Sequence, residues 1–298
     1  MGISLSLGIV NFNSNKETFN LLDALSVYVE KAIREKQISF FQLIIVSNGD
    51  ENFDTKFALK IKQLLKSKVY DNCVLRKSKN YGFGAAVNLI FEDLKESEPD
   101  FVWILNTDIF FDEDPLDPLL KNALLNRGSI YGSVIYENRN FNFGTDGLFS
   151  YKGYRSVIPD FSKSVVAVDA PTGTSMLIPR SVYSKLKFPE KYFMYVEENH
   201  FFSDCLKNGY KSFVVTDSII KHESGGTFRE MNHDRWYYKV RNILYYRRDV
   251  LRKKNYFFIF YLFLTTIKLY GLSLDYISMW FLGVKDYFNN KEGKRVES

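Results

Sequence analysis

Residues 101–108 read FVWILNTD: five consecutive apolar residues followed by three polar ones. An uninterrupted apolar run of this length predicts a strand that is buried on both faces of its sheet. Strand-like apolar runs and amphipathic helical segments alternate up to this stretch; in order they are 4–12, 18–35, 41–46, 57–65, 73–76 and 85–94. The alternation predicts an α/β fold, with a mostly parallel sheet and helices on both of its faces.

Polar residues follow three of the predicted strands at the points where these strands end. They are residues 11–13, 47–50 and 106–108. In open sheets of parallel strands, ligands bind beyond the carboxyl ends of the strands. We therefore expect a ligand site at this edge of the sheet.

The composition is that of an ordinary globular protein: 298 residues, 46% of them hydrophobic and 25% charged. These values exclude bulk disorder, collagen and a coiled-coil rod. Cys73 and Cys205 have no paired spacing, so they predict neither a disulfide framework nor a zinc site, and they favour a reducing compartment. The N-terminal residues lack the positive segment of a secretory signal. We therefore expect a cytoplasmic protein.

The C-terminal part of the chain differs in character. We predict a domain of residues 1–227 followed by a helical segment of residues 228–298. Residues 228–254 contain nine basic and three acidic residues, a net charge of +6 in a chain whose total is +5. The total is too small to imply nucleic acid by itself, and we expect no nucleic-acid partner.

Residues 256–284 are mostly apolar and aromatic, but Lys268 and Asp275 interrupt them. A membrane-spanning helix needs about 20 apolar residues, so the longest uninterrupted run is too short. Broken apolar helices beside a basic stretch predict attachment to a membrane surface. A helical subdomain that packs on the core is the alternative.

Carboxylates occupy two of the segments that are able to carry chemistry. Asp108 follows a predicted buried strand, where it either caps a turn or holds a divalent cation that in turn holds a diphosphate. Glu197 and Glu198 precede a predicted helix that ends near Gly209. They either complement the helix dipole or supply a general base, which takes a proton from an attacking hydroxyl.

Two further segments combine polar residues with glycine. His222 lies before a Gly-Gly pair; it is either a structural histidine or, if it lies near Asp108, a metal ligand. Residues 80–88, NYGFGAAVN, predict a glycine-containing loop that opens a helix. Backbone N–H groups there can face a phosphate or nucleotide, and a tight turn that requires glycine is the alternative. The segment matches neither the dinucleotide fingerprint nor the phosphate loop.

Eight motifs in order give the chain a specific resemblance. They are VNFN at 10–13, IVSNGD at 45–50, NYGFGAAVN at 80–88, LNTD at 105–108, GTSMLIPR at 173–180, and the segments 193–210, 219–227 and 238–245. Together they resemble the inverting family-2 glycosyltransferases with the GT-A fold, which is Rossmann-like. The branch they resemble most is the bacterial rhamnosyltransferase-like one, which also includes galactofuranosyltransferases.

The resemblance implies a role for each matched residue. Asp108 would bind Mg²⁺ or Mn²⁺ with His222 as the second protein ligand, and Glu198 would be the catalytic base, with Glu197 as the alternative. The resemblance also implies a nucleotide-sugar site at Asn11, Asn13, Ser47, Asn48, Asp50, Asn80, Gly82, Gly84, Asn88 and Asn106.

The chain departs from the family pattern at four positions. Ser47 replaces an Asp that contacts the nucleobase, which puts the identity of the base in doubt, although Asp50 is a possible substitute. Glu198 replaces the commoner Asp at the base position and is longer by one methylene. His200 replaces an acid and Thr107 a Pro. None of these changes removes a carboxylate from the metal or base position, so we expect an active enzyme.

The resemblance implies an inverting, metal-dependent transfer of a sugar from a nucleoside diphosphate to a hydroxyl. The implied donor is a dTDP-sugar such as dTDP-rhamnose, with a UDP-sugar, for a galactofuranosyl- or hexosyltransferase, as the alternative. The implied acceptor is a lipid-linked surface glycan of the O-antigen or capsule type, at the inner face of a bacterial plasma membrane. An inactive sugar-nucleotide-binding scaffold and a nucleic-acid-binding protein are the competing hypotheses, and an oligomer remains open.

Overall fold

The strand predicted from residues 101–108 forms β4 (Phe101–Leu105), and all five of its residues are buried. The computed structural model describes residues 2–49, 59, 61, 72–149, 155–222 and 232–295. The predicted helix at 57–65, apart from residues 59 and 61, lies outside the described residues, as does Asp50.

Within the described residues, β4 belongs to a ten-stranded sheet. The other strands of that sheet are β1 (Ile3–Asn11), β2 (Ile38–Ser47), β3 (Cys73–Lys77), β5 (Ile109–Phe110), β6 (Ile130–Glu137), β7 (Asn140–Asn142), β10 (Val165–Val168), β11 (Ser175–Pro179) and β12 (Ser212–His222). β8 (Thr145–Asp146) and β9 (Arg155–Ser156) form a separate two-stranded sheet. The main path is β10–β12–β6–β11–β4–β1–β2–β3, with β5 beside β12 and β7 beside β6.

The sheet is mixed in direction. β1 pairs in parallel with β2 and β4, β2 pairs in parallel with β3, and β12 pairs in parallel with β6. The first half of the chain therefore forms the predicted parallel sheet. β11 runs antiparallel between β4 and β6, and β10, β5 and β7 are antiparallel at the periphery.

Helices cover both faces of the sheet, as predicted. Successive strand residues point to opposite faces; Leu43 and Ile45 of β2 join the core beside the first helix, whereas Ile44 joins the core on the other face. The helices before residue 223 are α1 (Asn15–Arg34), α2 (Phe83–Asp93), α3 (Leu116–Leu125), α4 (Arg180–Tyr183) and α5 (Glu197–Lys207), with a 3-10 turn at Glu190–Tyr192. α1 and α3 lie on one face, and α2 and α5 on the other.

Three C-terminal helices follow: α6 (Asn232–Asp249), α7 (Tyr256–Tyr270) and α8 (Leu274–Phe288). Trp236 of α6, Leu262 of α7 and Tyr287 of α8 share a buried cluster with Tyr192, which precedes α5. Across the part of the chain that the structure describes, no helix combines the length and the apolar character needed to cross a bilayer. The boundary predicted after residue 227 falls outside the described residues and stays a prediction.

Candidate active site

Asp108 and His222 meet just beyond the carboxyl end of β4. The Oδ2 atom of Asp108 lies 3.3 Å from Nε2 of His222. The backbone produces this contact, because β12 runs antiparallel to β5 and pairs His222 with Ile109. The structure therefore brings together the two residues that the sequence predicts as metal ligands.

Glu137, at the end of β6, holds the other side of the same imidazole. Its Oε1 lies 3.1 Å from Nδ1 of His222. The hydrogen bond to Asp108 raises the pKa of His222, and the negative charges of Asp108 and Glu137 act in the same direction against the effect of burial. Sequence analysis missed Glu137; its position at the end of a strand was the only available signal.

The donor set at this point fits a divalent cation that also binds substrate. Within the described ranges, no group of three or more His, Cys, Asp and Glu side chains is arranged to hold a metal ion. Asp108 and His222 offer one carboxylate and one imidazole, and both suit Mn²⁺. A diphosphate and water are the oxygen ligands that hard cations use to complete such a shell.

Glu198 lies in the first turn of α5. Its Oε2 accepts a hydrogen bond of 3.1 Å from the backbone N–H of Gly173, in the loop before β11. A Cβ atom at residue 173 would lie 1.8 Å from Oε1 of Glu198, so only glycine allows the carboxylate to approach this closely. Burial raises the pKa of Glu198 to about 7, although the Gly173 N–H opposes the shift.

The surroundings of Glu197 differ from those of Glu198. Glu197 is 6% exposed, and its Oε2 atom has no hydrogen-bond partner among the described residues. Its Cβ and Cγ each lie 3.7 Å from the position that a Cβ at Gly84 would take, so the stem of this side chain packs against α2. Burial, and then the charge of Glu198, raise the pKa of Glu197 to about 8. Of the two carboxyls, Glu198 is the one that faces open space.

The loop before α5 has an unusual backbone. Phe193, Tyr195 and Val196 have φ values of 66°, 63° and 75°, in the left-handed region that non-glycine residues rarely adopt. The side-chain N–H groups of Asn242 on α6 donate to the carbonyls of Tyr192, Met194 and Tyr195 at 2.8, 2.7 and 3.1 Å. These bonds hold the strained loop, and the C-terminal segment therefore takes part in placing Glu198.

The glycine loop at residues 80–88 packs against this same strained loop. Gly82 has a φ of 102°, and a Cβ there would lie 2.0 Å from the carbonyl oxygen of Phe193. The buried Asn88 accepts from the N–H of Phe188 at 2.8 Å and donates to its carbonyl at 2.9 Å. Asn80 accepts from the Gly82 N–H at 3.1 Å. These contacts give the loop a packing role, and its predicted contact with a nucleotide stays a prediction.

Polar residues of the predicted nucleotide site line up at the ends of β1 and β2. Asn11 is fully buried, and its Oδ1 accepts from the N–H and hydroxyl of Ser14. Asn48 is 5% exposed, and its Oδ1 has no hydrogen-bond partner among the described residues. Ser47 is also buried, and the tight contact of Gly49 with Asn13 joins the two strand ends.

A cavity of about 280 Å³ has Glu198 and His222 in its walls. It is lined by Asn106, Ile135, Glu137, Asn142, Gly144, Thr145, Ala170, Pro171, Thr172, Gly173, Thr174, Glu198, Asn199 and His222. The structure thus gathers Asn106, Glu198 and His222, which sequence analysis singled out separately. The hydroxyls of Thr145 and Thr172 have no hydrogen-bond partner among the described residues. Both threonines were missed from the sequence.

The sequence of this half of the molecule matches a known family. The model of glycosyl transferase family 2 matches residues 9–186. The chain belongs to glycosyl transferase family 2. The match runs from β1 to the residues after α4, so it includes Asp108 and Gly173, while Glu198 and His222 lie beyond it.

Three solved structures share the fold of this family 2 chain at low sequence identity. GalNAc-T7 with UDP, GalNAc and Mn²⁺ is 12% identical with a TM-score of 0.56; the alignment covers 91% of this chain but 59% of GalNAc-T7. The mannosyltransferase PcManGT from Pyrobaculum calidifontis with GDP-Man and Mn²⁺ is 11% identical with a TM-score of 0.59, over 98% and 89% of the two chains. Residues 1–349 of S. aureus TarS are 13% identical with a TM-score of 0.58, over 97% and 81%.

The family model shows the family, and the solved structures support the fold. No curated protein matches the sequence of this chain. The chain spans about 59% of the length of GalNAc-T7. The GT-A architecture and the helical C-terminal segment predicted from the sequence are confirmed.

Proposed function

We propose that this protein is an inverting glycosyltransferase whose catalytic base is Glu198. The observation that carries the proposal is the position of the Glu198 carboxylate. The Gly173 N–H holds it in the wall of a cavity that also contains His222. A base in this position takes the proton of an acceptor hydroxyl as its oxygen attacks the anomeric carbon. The bond from that carbon to the diphosphate oxygen breaks on the opposite face, so the sugar inverts.

Burial makes Glu198 a suitable general base. Its pKa of about 7 makes the carboxylate a stronger base than an exposed glutamate, while a large fraction remains ionised near neutral pH. Glu197 is less suited, because its side chain packs against α2 and does not line the cavity. Of the two adjacent glutamates, Glu198 therefore faces the acceptor, and Glu197 is buried in the core.

Asp108 and His222 are the residues that would hold Mg²⁺ or Mn²⁺. The bound ion would neutralise the charge that develops on the nucleoside diphosphate as it leaves. Glu137 would accept the hydrogen on Nδ1 of His222, so that Nε2 could bind the ion in place of the proton that it shares with Asp108. The Mn²⁺ bound to GalNAc-T7 and PcManGT supports a divalent ion for this fold.

The donor we propose is a nucleoside-diphosphate sugar with a pyrimidine base, dTDP- or UDP-linked. The buried Oδ1 of Asn48 supports a site for a ligand N–H or hydroxyl at the end of β2, because an unpaired buried acceptor costs about 1–3 kcal/mol until it is satisfied. The hydroxyls of Thr145 and Thr172 are suited to sugar hydroxyls in the same way. A rhamnose-like sugar is our first choice and galactofuranose or another hexose the second.

For the acceptor we propose a lipid-linked surface glycan, with the protein attached peripherally to the membrane that carries it. The basic stretch and the exposed aromatic residues of α7 support this placement. The acceptor hydroxyl would reach Glu198 from the open side of the cavity.

The test combines donor binding with turnover. Thermal shifts with UDP, dTDP, GDP, CDP and their sugars, with and without Mn²⁺, identify the donor, since a ligand at 100 times its Kd adds about 2.7 kcal/mol of stability. In a transfer assay, Glu198→Gln should lower kcat by about 10²–10⁴-fold and leave donor affinity unchanged. Glu96→Gln, an exposed glutamate remote from the cavity, is the matched control. Donor binding without turnover in the wild type would instead support a binding scaffold.

A further inference from the structure

A second cavity, of about 360 Å³, lies in the C-terminal segment between the end of α6, the turn at 250–255 and the ends of α7 and α8. It is lined by Arg248, Arg252, Lys253, Lys254, Asn255, Tyr256, Ile259, Tyr287 and Phe288. Four of these side chains are basic, and no Asp or Glu is among the described residues that line it. Its chemistry is that of an anion site with aromatic walls.

The charges at this cavity are only partly neutralised. Arg248 forms an ion pair with Asp249 at 2.6 Å. Arg252 and Lys254 are exposed, and among the described residues neither has an ion pair. The N-terminal end of α7 opens at the same place, and its N-cap residue, Asn255, makes no side-chain capping hydrogen bond. The positive end of the helix dipole therefore adds to the charge here. The positive charge here is therefore available to a bound anion.

An apolar surface begins at the edge of this cavity. Five exposed side chains in the first nine residues of α7 follow helical spacing and share an arc of about 140°. They are Tyr256, Phe257, Phe260, Tyr261 and Leu264, with exposures of 73%, 94%, 62%, 59% and 49%. We call these five residues the α7 face. Phe288, 57% exposed, continues this surface across the cavity.

We propose that this cavity binds the phosphate of an anionic phospholipid while the α7 face lies in the membrane interface. This deepens the peripheral attachment under the proposed function by naming its site and ligand. Aromatic rings suit the boundary between headgroups and acyl chains. Basic residues next to them suit the negative surface of the bilayer. Because all the unpaired charges at this site have one sign, a surface of opposite charge fits it better than a second copy of the chain.

The test measures binding of the full chain to vesicles by flotation. Vesicles of phosphatidylcholine with 30% phosphatidylglycerol should bind the wild type, and pure phosphatidylcholine should bind it at least ten-fold more weakly. Each basic residue near an anionic surface contributes a factor of about five. The double variant Arg252→Gln/Lys254→Gln should therefore bind the anionic vesicles about 25-fold more weakly.

A matched variant separates this site from net charge. Lys95→Gln/Lys185→Gln removes the same charge from two exposed lysines in the catalytic part of the chain and should leave vesicle binding unchanged. Phe257→Ser/Phe260→Ser keeps the charge and should weaken binding at least ten-fold, since each buried Phe contributes substantially to interface affinity. All three variants should transfer sugar to a soluble acceptor at the wild-type rate, so failure here is distinguishable from failure of the proposed function.

Four results would each overturn the inference. They are equal binding to both kinds of vesicle, an equal loss in the Lys95/Lys185 control, tighter binding to a single-stranded oligonucleotide than to anionic vesicles, and a stable dimer in sedimentation that Phe257→Ser/Phe260→Ser converts to monomer. The last result would assign the α7 face to a second copy of the chain.

Discussion

Asn242 is the residue whose replacement tests most directly how the structure places Glu198. Its amide donates to the carbonyls of Tyr192, Met194 and Tyr195, in the loop that leads into α5. Asn242→Leu keeps the approximate size of the side chain and removes all three donated hydrogen bonds. The carbonyl of Tyr192 keeps a second donor, the Arg241 guanidinium at 3.1 Å. The carbonyls of Met194 and Tyr195 lose the hydrogen bond from Asn242.

The expected loss of stability follows from those two half-buried carbonyls and from the buried Nε–H of Arg241, which loses Oδ1 of Asn242 as its acceptor. A fully buried polar group left unpaired costs about 1–3 kcal/mol, so the three groups together cost about 4 kcal/mol. At about 2 °C or more per kcal/mol in a chain of this size, Tm should fall by about 8 °C. The left-handed Tyr195 and Val196 store about 1–3 kcal/mol each and persist only while their surroundings hold them. The variant loop should relax, and Glu198 should move with it.

The assay compares kcat, donor affinity and Tm. A shift of about 1 Å in a catalytic group lowers the rate about 100-fold, so kcat should fall by that factor while donor Kd stays within three-fold. Asn255→Leu is the matched control: Asn255 is buried in the same helical segment and donates to Leu244 and Tyr287, remote from the loop. It should lower Tm and leave kcat with a soluble acceptor unchanged. If Asn242→Leu loses stability but keeps kcat within two-fold, the argument that α6 positions Glu198 for catalysis is wrong.

Three further predictions concern the residues around the cavity. Gly173→Ala should lower kcat at least 100-fold without loss of folding, because the new Cβ collides with the Glu198 carboxylate; steady-state kinetics and circular dichroism check this, and a normal kcat would refute it. Glu137→Gln should weaken Mn²⁺ binding about 10–100-fold in the presence of nucleotide, since it removes the carboxylate that orients His222; calorimetric titration measures it, and unchanged affinity would count against that role. Because the pKa of Glu197 is raised to about 8 from 4.5, the folded state binds more protons than the unfolded state between these values, so Tm should fall as pH rises from about 5 to 8. Glu197→Gln should flatten that profile in a thermal melt series, and a parallel profile would contradict the burial argument.

The sheet and its ligand edge were predictable from local patterns. The apolar runs at 4–12, 41–46 and 101–105 correspond to β1, β2 and β4, because a strand buried on both faces requires apolar side chains in succession. Polar residues at their carboxyl ends, Asn106 among them, lie at one edge for the same topological reason. β12, which carries His222 at its end, has no uninterrupted apolar run of this kind.

The contacts within the candidate site could not be predicted without the tertiary structure. The short run 106–108 marks Asp108 as a candidate, but its contact with His222 depends on the antiparallel pairing of β5 and β12. Glu137 lies outside every motif of the sequence. Gly173 and Asn242 fall within the motifs at 173–180 and 238–245, but nothing local shows which groups they contact.

The division between sequence and structure follows from the range of the interactions involved. Apolar periodicity and turn residues are local, so the sequence by itself determined which segments become strands and helices and at which edge of the sheet polar groups collect. Which of Glu197 and Glu198 faces the cavity depends on the direction in which α5 starts. A strained loop sets that direction, and α6, distant in sequence, holds the loop by hydrogen bonds. Only the folded chain brings such groups within reach of each other, and the tertiary structure therefore decided the chemistry of the site.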